Sequence, residues 1–305
     1  MKSMNKVTLF LILTFIINYA MAGIFYLAGG ELGGIAGTVI SVVYMFIPML
    51  TVLIVMKLVH KEDVSKKLKI SFKLNYWWLV ALIIPFILGG MTLGISLLFP
   101  QVQFTPDMQG MMDRYASMLS EEEMEGLRLS LETLPIHPFW LSIIQGLFAG
   151  ATINAVAAFG EELGWRGFLL HAFRKMSFLK ASLIIGFIWG LWHAPLILMG
   201  HNYPDHPVWG VAMMTLWCIL LTPLFNYITL KSSSVIAASV LHGTINATAG
   251  IAILVIAGGS DLLVGITGVA GILALAIVLV GFAIYDIFWS KTPILGKSMT
   301  VFWGE

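Results

Sequence analysis

Long apolar stretches alternate with short polar connections along most of this chain. Each stretch has about the 20 residues that a helix needs to cross a bilayer, and none shows the alternation of an outer-membrane β-strand. The pattern therefore predicts an all-α, multi-pass membrane protein with about eight transmembrane helices. The eight stretches are 7–29, 33–58, 77–99, 139–173, 181–199, 208–230, 235–258 and 262–288.

The composition agrees with this prediction and excludes other classes. Of the 305 residues, 59% are hydrophobic and only 11% are charged, whereas about a quarter are charged in soluble proteins. A net charge of +1 gives no electrostatic reason to expect a nucleic-acid partner, and the single cysteine, Cys218, excludes an internal disulfide. We expect one integral membrane domain over 1–305, with an outer amphipathic loop at about 100–138 and a motif-bearing core at about 139–258.

Positive charge gathers in every second loop, and such loops stay in the cytosol. Both termini are therefore predicted to be cytosolic, in a multi-pass protein of the cytoplasmic (plasma) membrane. The opposite loops are acidic, and residues 108–134 are predicted to form one or two amphipathic helices. A signal peptide ending at Ala20-Met21-Ala22 is an alternative interpretation of the first apolar stretch. The positive residues of the predicted cytosolic segments are Lys2, Lys6, Lys57, Lys61, Lys66, Lys67, Lys69, Lys73, Arg174, Lys175, Lys180, Lys231, Lys291 and Lys297.

Two of the predicted helices cannot be simple straight spans of the bilayer. The fourth stretch has 35 residues and would be about 52 Å long as one helix, against a hydrocarbon core of about 30 Å. It must tilt strongly, leave the bilayer or break near Gly146 and Gly150. In the fifth stretch, Pro195 frees the carbonyl of Leu191, so we expect a bend there.

Ionisable side chains are rare within the apolar stretches, where each costs about 2.5 to 3.5 kcal/mol to insert. Helical spacing lets Glu162 pair with Arg166, four residues on, whereas Glu161 stands about 140° away from Arg166 and faces a different environment. The polar residues of the three motif-bearing stretches are Glu161, Glu162, Arg166, His193, His242 and Asn246.

These polar groups are predicted to lie at one depth in the membrane. Glu161 and His193 are each 13 residues from a predicted cytosolic charge, and His242 is 11 residues from Lys231. At 1.5 Å per residue these separations are roughly 20 Å, 20 Å and 16 Å. Three helices thus bring a carboxylate and two imidazoles to a common layer.

This group of residues is suited to peptide hydrolysis within the membrane. Burial and a neighbouring carboxylate make Glu161 a competent general base, which with His193 could activate a water. His242 and the Asn246 amide could then donate hydrogen bonds to the oxyanion. The sequence contains no His-Glu-x-x-His zinc motif, no Gly-x-Ser-x-Gly elbow and no Gly-x-Gly-Asp motif.

Three motifs in this order carry a family resemblance: Glu161-Glu162-x-x-x-Arg166, Trp189-x-x-x-His193 and His242-x-x-x-Asn246. Together they resemble the CAAX protease and bacteriocin-processing family of intramembrane glutamic endopeptidases, which includes the type II CAAX prenyl protease. The resemblance covers about 156–249. It implies that Glu161 and His193 activate the catalytic water and that His242 and Asn246 form the oxyanion hole. Glu162 and Arg166 occupy the supporting positions.

The resemblance also implies a membrane-associated protein or peptide substrate, of which a prenylated protein is one example, and it implies no cofactor and no metal. Three alternatives remain open. The chain could be a non-catalytic scaffold, or a transporter or bacteriocin-immunity receptor that binds a peptide without cutting it. It could also be a zinc-dependent protease, because Glu161, His193 and His242 are ligands that zinc accepts. The remaining polar residues, including His171, His201, His206 and Asp286, are interpreted as loop or interfacial groups.

Overall fold

A computed structural model of the chain describes residues 5–115 and 120–304 and confirms the all-α prediction. Lys2, one of the charges behind the predicted orientation, and residues 116–119 of the predicted amphipathic stretch lie outside the described residues. The transmembrane-length helices are α1 (Lys6–Leu27), α2 (Gly34–Val59), α4 (Tyr76–Ser96), α11 (Pro207–Ser232), α12 (Val235–Thr248) taken together with α13 (Ile251–Leu254), and α14 (Val269–Phe288). The shorter elements in chain order are α3 (Val64–Lys67), β1 (Gln103–Phe104), α5 (Gln109–Tyr115), α6 (Glu121–Glu132), α7 (Pro138–Ala151), α8 (Ile153–Ala172), α9 (Phe178–Trp192), α10 (Ala194–Leu198) and β2 (Ile256–Ala257).

All eight predicted stretches are helical, but not all of them are single membrane-length helices. Within the described residues, six pass as spans by themselves and the α7–α8 pair makes a seventh. The fifth stretch forms α9, which has 15 residues and is about 22 Å long, shorter than the hydrocarbon core. The arrangement makes this an integral membrane protein, and its predicted orientation stays a prediction.

Of the three possibilities left open for the fourth stretch, the structure has the break. α7 and α8 meet at an angle of 50°, and the junction is Thr152, whose φ of −123° and ψ of −93° are not helical. Gly150, two residues before the junction, lies against α12, where an added Cβ would stand 2.6 Å from the Cα of Thr244. The small residue therefore lets α7 approach α12 before the chain turns into α8.

The predicted bend before Pro195 is also confirmed, as a complete end of the helix. α9 stops at Trp192, and α10 begins at Ala194 with Pro195 in its first turn. The hydroxyl of Tyr19 donates to the freed carbonyl of Leu191 at 2.6 Å, and the hydroxyl of Tyr44 donates to the carbonyl of Trp192 at 2.7 Å. α1 and α2 thus satisfy backbone groups that would otherwise be costly in a dry interior.

Glycines let the motif-bearing helices approach their neighbours closely. A Cβ on Gly160 of α8 would stand 2.6 Å from the carbonyl oxygen of Met45, and one on Gly186 of α9 would stand 2.6 Å from the Cα of Ile219. Such positions exclude any larger side chain without movement of backbone. α8 therefore packs tightly on α2, and α9 packs tightly on α11.

The predicted outer loop forms a small cap. The acidic stretch gives two helices, α5 and α6, as predicted, and β1 pairs antiparallel with β2 with Phe104 opposite Ile256. At the other end of the bundle the interpretation of Asp286 as an interfacial charge was wrong. Its carboxylate is fully buried and accepts hydrogen bonds from Tyr227 and from the backbone of Ile294 and Leu295, because the segment after α14 folds back over it.

Candidate active site

A cavity of about 290 Å³ lies among α2, α8, α9, α11 and α12, and we call it the inner cavity. Four residues proposed from the sequence line it: Glu161, His193, His242 and Asn246. They come from three helices that are separated along the chain, as the matched depths predicted. Most of the remaining lining is apolar, so these polar groups share one cavity that is otherwise largely apolar.

Glu161 is the carboxylate that reaches the inner cavity. It lies in the last turn of the regular part of α8 and is 2% exposed. Its Oε2 accepts a hydrogen bond of 2.8 Å from the indole Nε1–H of Trp189 on α9. Since no ion pair of Glu161 occurs within the described residues, the indole is the donor that fixes this carboxylate.

Glu162 points away from Glu161 because adjacent helical residues differ by about 100° in direction. Its Oε1 lies 3.1 Å from Nη1 of Arg166, and both side chains are fully buried. The predicted pairing of these two residues is therefore present. The guanidinium lies over the rings of Trp189 and Phe225, at 4.1 Å and 4.3 Å from their centroids, and the rings exclude water from the pair.

His242 joins the same carboxylate from α12. Its Nδ1 lies 2.8 Å from Oε1 of Glu162. Because a carboxylate oxygen accepts, Nδ1 carries a hydrogen, and Nε2 is the ring nitrogen left for other chemistry. Glu162 thus links Arg166 to His242. It supports His242, which lines the inner cavity, without lining that cavity itself.

His193 caps the end of α9 beside the break made by Pro195. Its Nδ1 lies 2.8 Å from the carbonyl oxygen of Trp189, which can only accept, so Nδ1 carries the hydrogen and Nε2 keeps a lone pair in the neutral ring. The ring of Trp192 contacts the imidazole at a centroid distance of 4.8 Å. His193 is therefore held as a hydrogen-bond acceptor or base on a fixed backbone.

Asn246 lies one turn beyond His242 on α12 and is exposed, whereas His242 is 5% exposed. Both residues line the inner cavity, as the spacing of four predicted. The helix therefore carries one polar group at the buried end of the site and one nearer to its opening.

The sequence did not reveal three other contributors to the site. Trp189 was named only as part of a motif and was given no role of its own, Tyr44 was not singled out, and His201 was interpreted as a loop group. All three line the inner cavity. The Trp189 position within a motif was the only available signal, because the other two reach the site through packing of distant segments.

Among residues 5–115 and 120–304, no group of three or more His, Cys, Asp or Glu side chains is arranged to hold a metal ion. Nδ1 of each cavity histidine faces an oxygen acceptor, and one oxygen of Glu161 faces an indole. The zinc-dependent alternative thus depends on the remaining atoms of these side chains.

The comparisons with known proteins agree with the motifs. Residues 139–248 match the family model described as type II CAAX prenyl endopeptidase, Rce1-like. A relative named CAAX prenyl protease 2, from Methanococcus maripaludis, is 31% identical over 126 residues, covering 36% of this chain and 46% of that protein. The chain thus matches just under half the length of this relative. The resemblance predicted from the three motifs is confirmed over this region, which contains all six of the proposed site residues.

Proposed function

We propose that this chain, which carries an Rce1-like region, is an intramembrane endopeptidase that hydrolyses a peptide bond with a water activated by Glu161 and His193. One observation carries the proposal: a buried carboxylate and two histidines from three helices line a single cavity in an integral membrane protein. Trp189 holds both proposed water-activating residues in place: its indole donates to Glu161, and its carbonyl accepts from His193.

The first step is attack of water on the scissile carbonyl. Oε2 of Glu161 accepts the indole hydrogen, so Oε1 is the oxygen that takes the proton of the water. His193 holds the same water through the lone pair of Nε2. The bond between the water oxygen and the carbonyl carbon forms as the proton moves to Glu161, which gives a tetrahedral intermediate.

The intermediate needs donors for the oxygen that becomes negative. His242 Nε2 and the Asn246 amide supply them, one turn apart on α12. Since Nδ1 of His242 already donates to Glu162, Nε2 donates when the ring is doubly protonated, and the Glu162 carboxylate then lies between the His242 and Arg166 cations. The carbon–nitrogen bond then breaks, and the leaving amine takes the proton from Glu161.

The substrate we propose is a membrane-associated protein or peptide. We also propose that the chain forms one integral domain in the cytoplasmic (plasma) membrane. The Methanococcus maripaludis relative is named CAAX prenyl protease 2, and we include cleavage of a prenylated C-terminal peptide among the reactions to be tested. The largely apolar lining of the inner cavity suits a substrate that reaches the site from within or beside a bilayer.

The decisive experiment compares cells that produce the parent protein, Glu161→Gln or Glu121→Gln at equal amounts. Membrane fractions are analysed for new N-termini and for uncut precursors. We expect precursors to accumulate only with Glu161→Gln, because an amide cannot take the proton of the water. Glu121, an exposed residue of α6, is the matched control. Equal processing by all three proteins would point instead to a scaffold, an immunity protein or a peptide-binding protein.

A further inference from the structure

A second cavity, of about 580 Å³, adjoins the inner cavity, and we call it the outer cavity. The two cavities share four lining residues: Asn202, Ala249, Ile266 and Thr267. The shared residues come from the α10–α11 loop, the end of α12 and the loop before α14. We call these four residues the neck; they lie between the proposed catalytic space and the end of the bundle opposite to the lysine-bearing loops.

Exposure along α12 follows the same direction. His242 is buried, Asn246 is exposed, and Gly250, which lines the outer cavity, is also exposed. In the opposite direction the site is closed by the Glu162–Arg166 pair, whose side chains are fully buried. The inner cavity therefore opens toward the outer cavity rather than toward the lysine-bearing end.

The neck is held in shape by bonds between its two loops. The hydroxyl of buried Tyr203 donates to the carbonyl of Thr267 at 2.8 Å. Asp261 accepts from the backbone N–H groups of Asp205 and His206, and its Oδ1 lies 2.6 Å from the His206 ring. These bonds join the α10–α11 loop to the loop before α14, so the two loops that contribute to the neck hold each other in place.

The two cavities differ in chemistry. Apolar side chains make up most of both linings, and the inner one holds bulky rings such as that of Trp217 around the proposed catalytic groups. The outer lining adds four charged residues that the inner one lacks: Asp113, Arg114, Asp205 and Asp261. A polypeptide that occupies both spaces would place apolar residues beside Glu161 and a hydrophilic segment in the outer cavity. That composition is typical of a chain just where it leaves the hydrocarbon core.

From this geometry we infer that the substrate reaches the site through the outer cavity and is cut next to the point where it emerges from the bilayer at that face. The inference rests on the proposed function. It names the substrate class more closely: a membrane-anchored polypeptide with an apolar segment at the scissile bond and a hydrophilic segment on the side of the acidic loops. In the predicted orientation this is the outer face of the membrane.

Access to the inner cavity can be measured without any proteolysis. Leu221→Cys places a thiol in the inner cavity, and the protein is reconstituted in vesicles and treated with a membrane-impermeant sulfonated maleimide. Adding Ala249→Trp narrows the neck, and we expect labelling to slow at least 10-fold. Ala247→Trp, two residues away on α12 and outside the lining of both cavities, is the matched control and should leave the rate unchanged. The parent protein with its buried Cys218 gives the background.

A second neck variant, Thr267→Trp, protects the test against a folding defect in Ala249→Trp. It narrows the neck from the opposite wall and should slow labelling in the same way. Equal labelling rates for the open and narrowed necks would overturn the inferred route. A thiol placed at Glu121 of α6 marks the membrane face that carries the acidic loops. Labelling of the inner cavity only from the other face would also overturn the route.

The proteolytic arm uses the precursors identified with Glu161→Gln. We expect the narrowed necks to abolish their processing while Ala247→Trp leaves it intact. If the neck variants block labelling but the parent protein cuts nothing, the proposed function fails and the route stands. If Ala249→Trp and Thr267→Trp process the precursors as fast as the parent protein does, the protease stands and the route fails.

Discussion

The indole of Trp189 donates a hydrogen bond of 2.8 Å to Oε2 of Glu161, in the interior of the bundle. The same tryptophan accepts from His193 through its carbonyl and lies against the guanidinium of Arg166. One residue therefore positions both members of the proposed water-activating pair and packs on the supporting ion pair. Its backbone and its side chain do this separately, so a substitution can test the side-chain part alone.

Trp189→Phe removes the donor and keeps an aromatic ring over Arg166. A hydrogen bond to a charged group contributes about 1.5 to 3 kcal/mol, so we expect kcat to fall about 10- to 100-fold with KM nearly unchanged. Steady-state kinetics on a precursor peptide measure this separation. Trp217→Phe is the matched control, because Trp217 also lines the inner cavity and its Nε1 has no hydrogen-bond partner among the described residues. An equal loss in both variants would mean that the ring volume, and not the donor, is what matters.

Tyr44→Phe tests whether α2 holds the backbone that carries His193. The hydroxyl of Tyr44 donates to the carbonyl of Trp192, next to His193, and a neutral hydrogen bond contributes about 1 kcal/mol. We expect kcat/KM to fall about fivefold, and further when Tyr19→Phe frees the carbonyl of Leu191 as well. The exposed Tyr26 of α1 supplies the control, and Tyr26→Phe should match the parent protein. Unchanged kinetics in the double variant would show that the helix end keeps its place without these hydroxyls.

Much of the fold could be predicted from the sequence because membranes constrain it strongly. Apolar stretches of about 20 residues have few alternatives to a helix in lipid, and an over-long stretch has to tilt, leave the bilayer or break. The pairing of Glu162 with Arg166 followed from a spacing of four within one helix. Local periodicity and the high cost of buried charge were sufficient for these predictions.

The remaining features of the site depend on contacts between distant segments. Tyr44 and Trp192 are 148 residues apart, and Glu161 and Trp189 are 28 apart. Asp286 was misjudged for the same reason, since its partners lie in the segment that folds back after α14. Such contacts are set by how helices pack, and a single sequence carries no periodic signal for them.

Arg166→Met removes one partner of the buried ion pair. Glu162 then keeps its charge in a dry interior with only His242 as a partner, and breaking a buried pair in this way costs about 3 to 5 kcal/mol. We expect a corresponding loss in the free energy of unfolding, measured by reversible unfolding in mixed detergent micelles. The double variant Glu162→Gln and Arg166→Met removes both charges and should be more stable than Arg166→Met alone. A double variant that is the less stable of the two would contradict an unpaired Glu162 charge as the cause.

Removal of metal ions separates direct glutamate and histidine chemistry from the zinc-dependent alternative. The purified protein is treated exhaustively with a chelator, passed through a desalting column and assayed on a precursor peptide. Cleavage should persist at the untreated rate, because the proposed base is the carboxylate itself. Loss of activity that returns with added zinc would reassign Glu161, His193 and His242 as metal ligands. Metal content of the active fractions is measured in parallel, so that tightly held zinc is not missed.

Gly160→Ala tests whether the close approach of α8 to α2 sets the position of Glu161. The added Cβ would stand 2.6 Å from the carbonyl oxygen of Met45, so the two helices must move apart, at a cost of about 1 to 3 kcal/mol for overpacking. We expect a lower thermal midpoint and reduced cleavage, because the displaced residue is next to Glu161. Gly89→Ala on α4 is the matched control: Gly89 is also buried and helical, but nothing lies within 4 Å of its added Cβ. Since alanine favours helices over glycine by about 1 kcal/mol, Gly89→Ala should be neutral or stabilising, and a Gly160→Ala protein that behaves in the same way would show that the α8–α2 contact tolerates a methyl group.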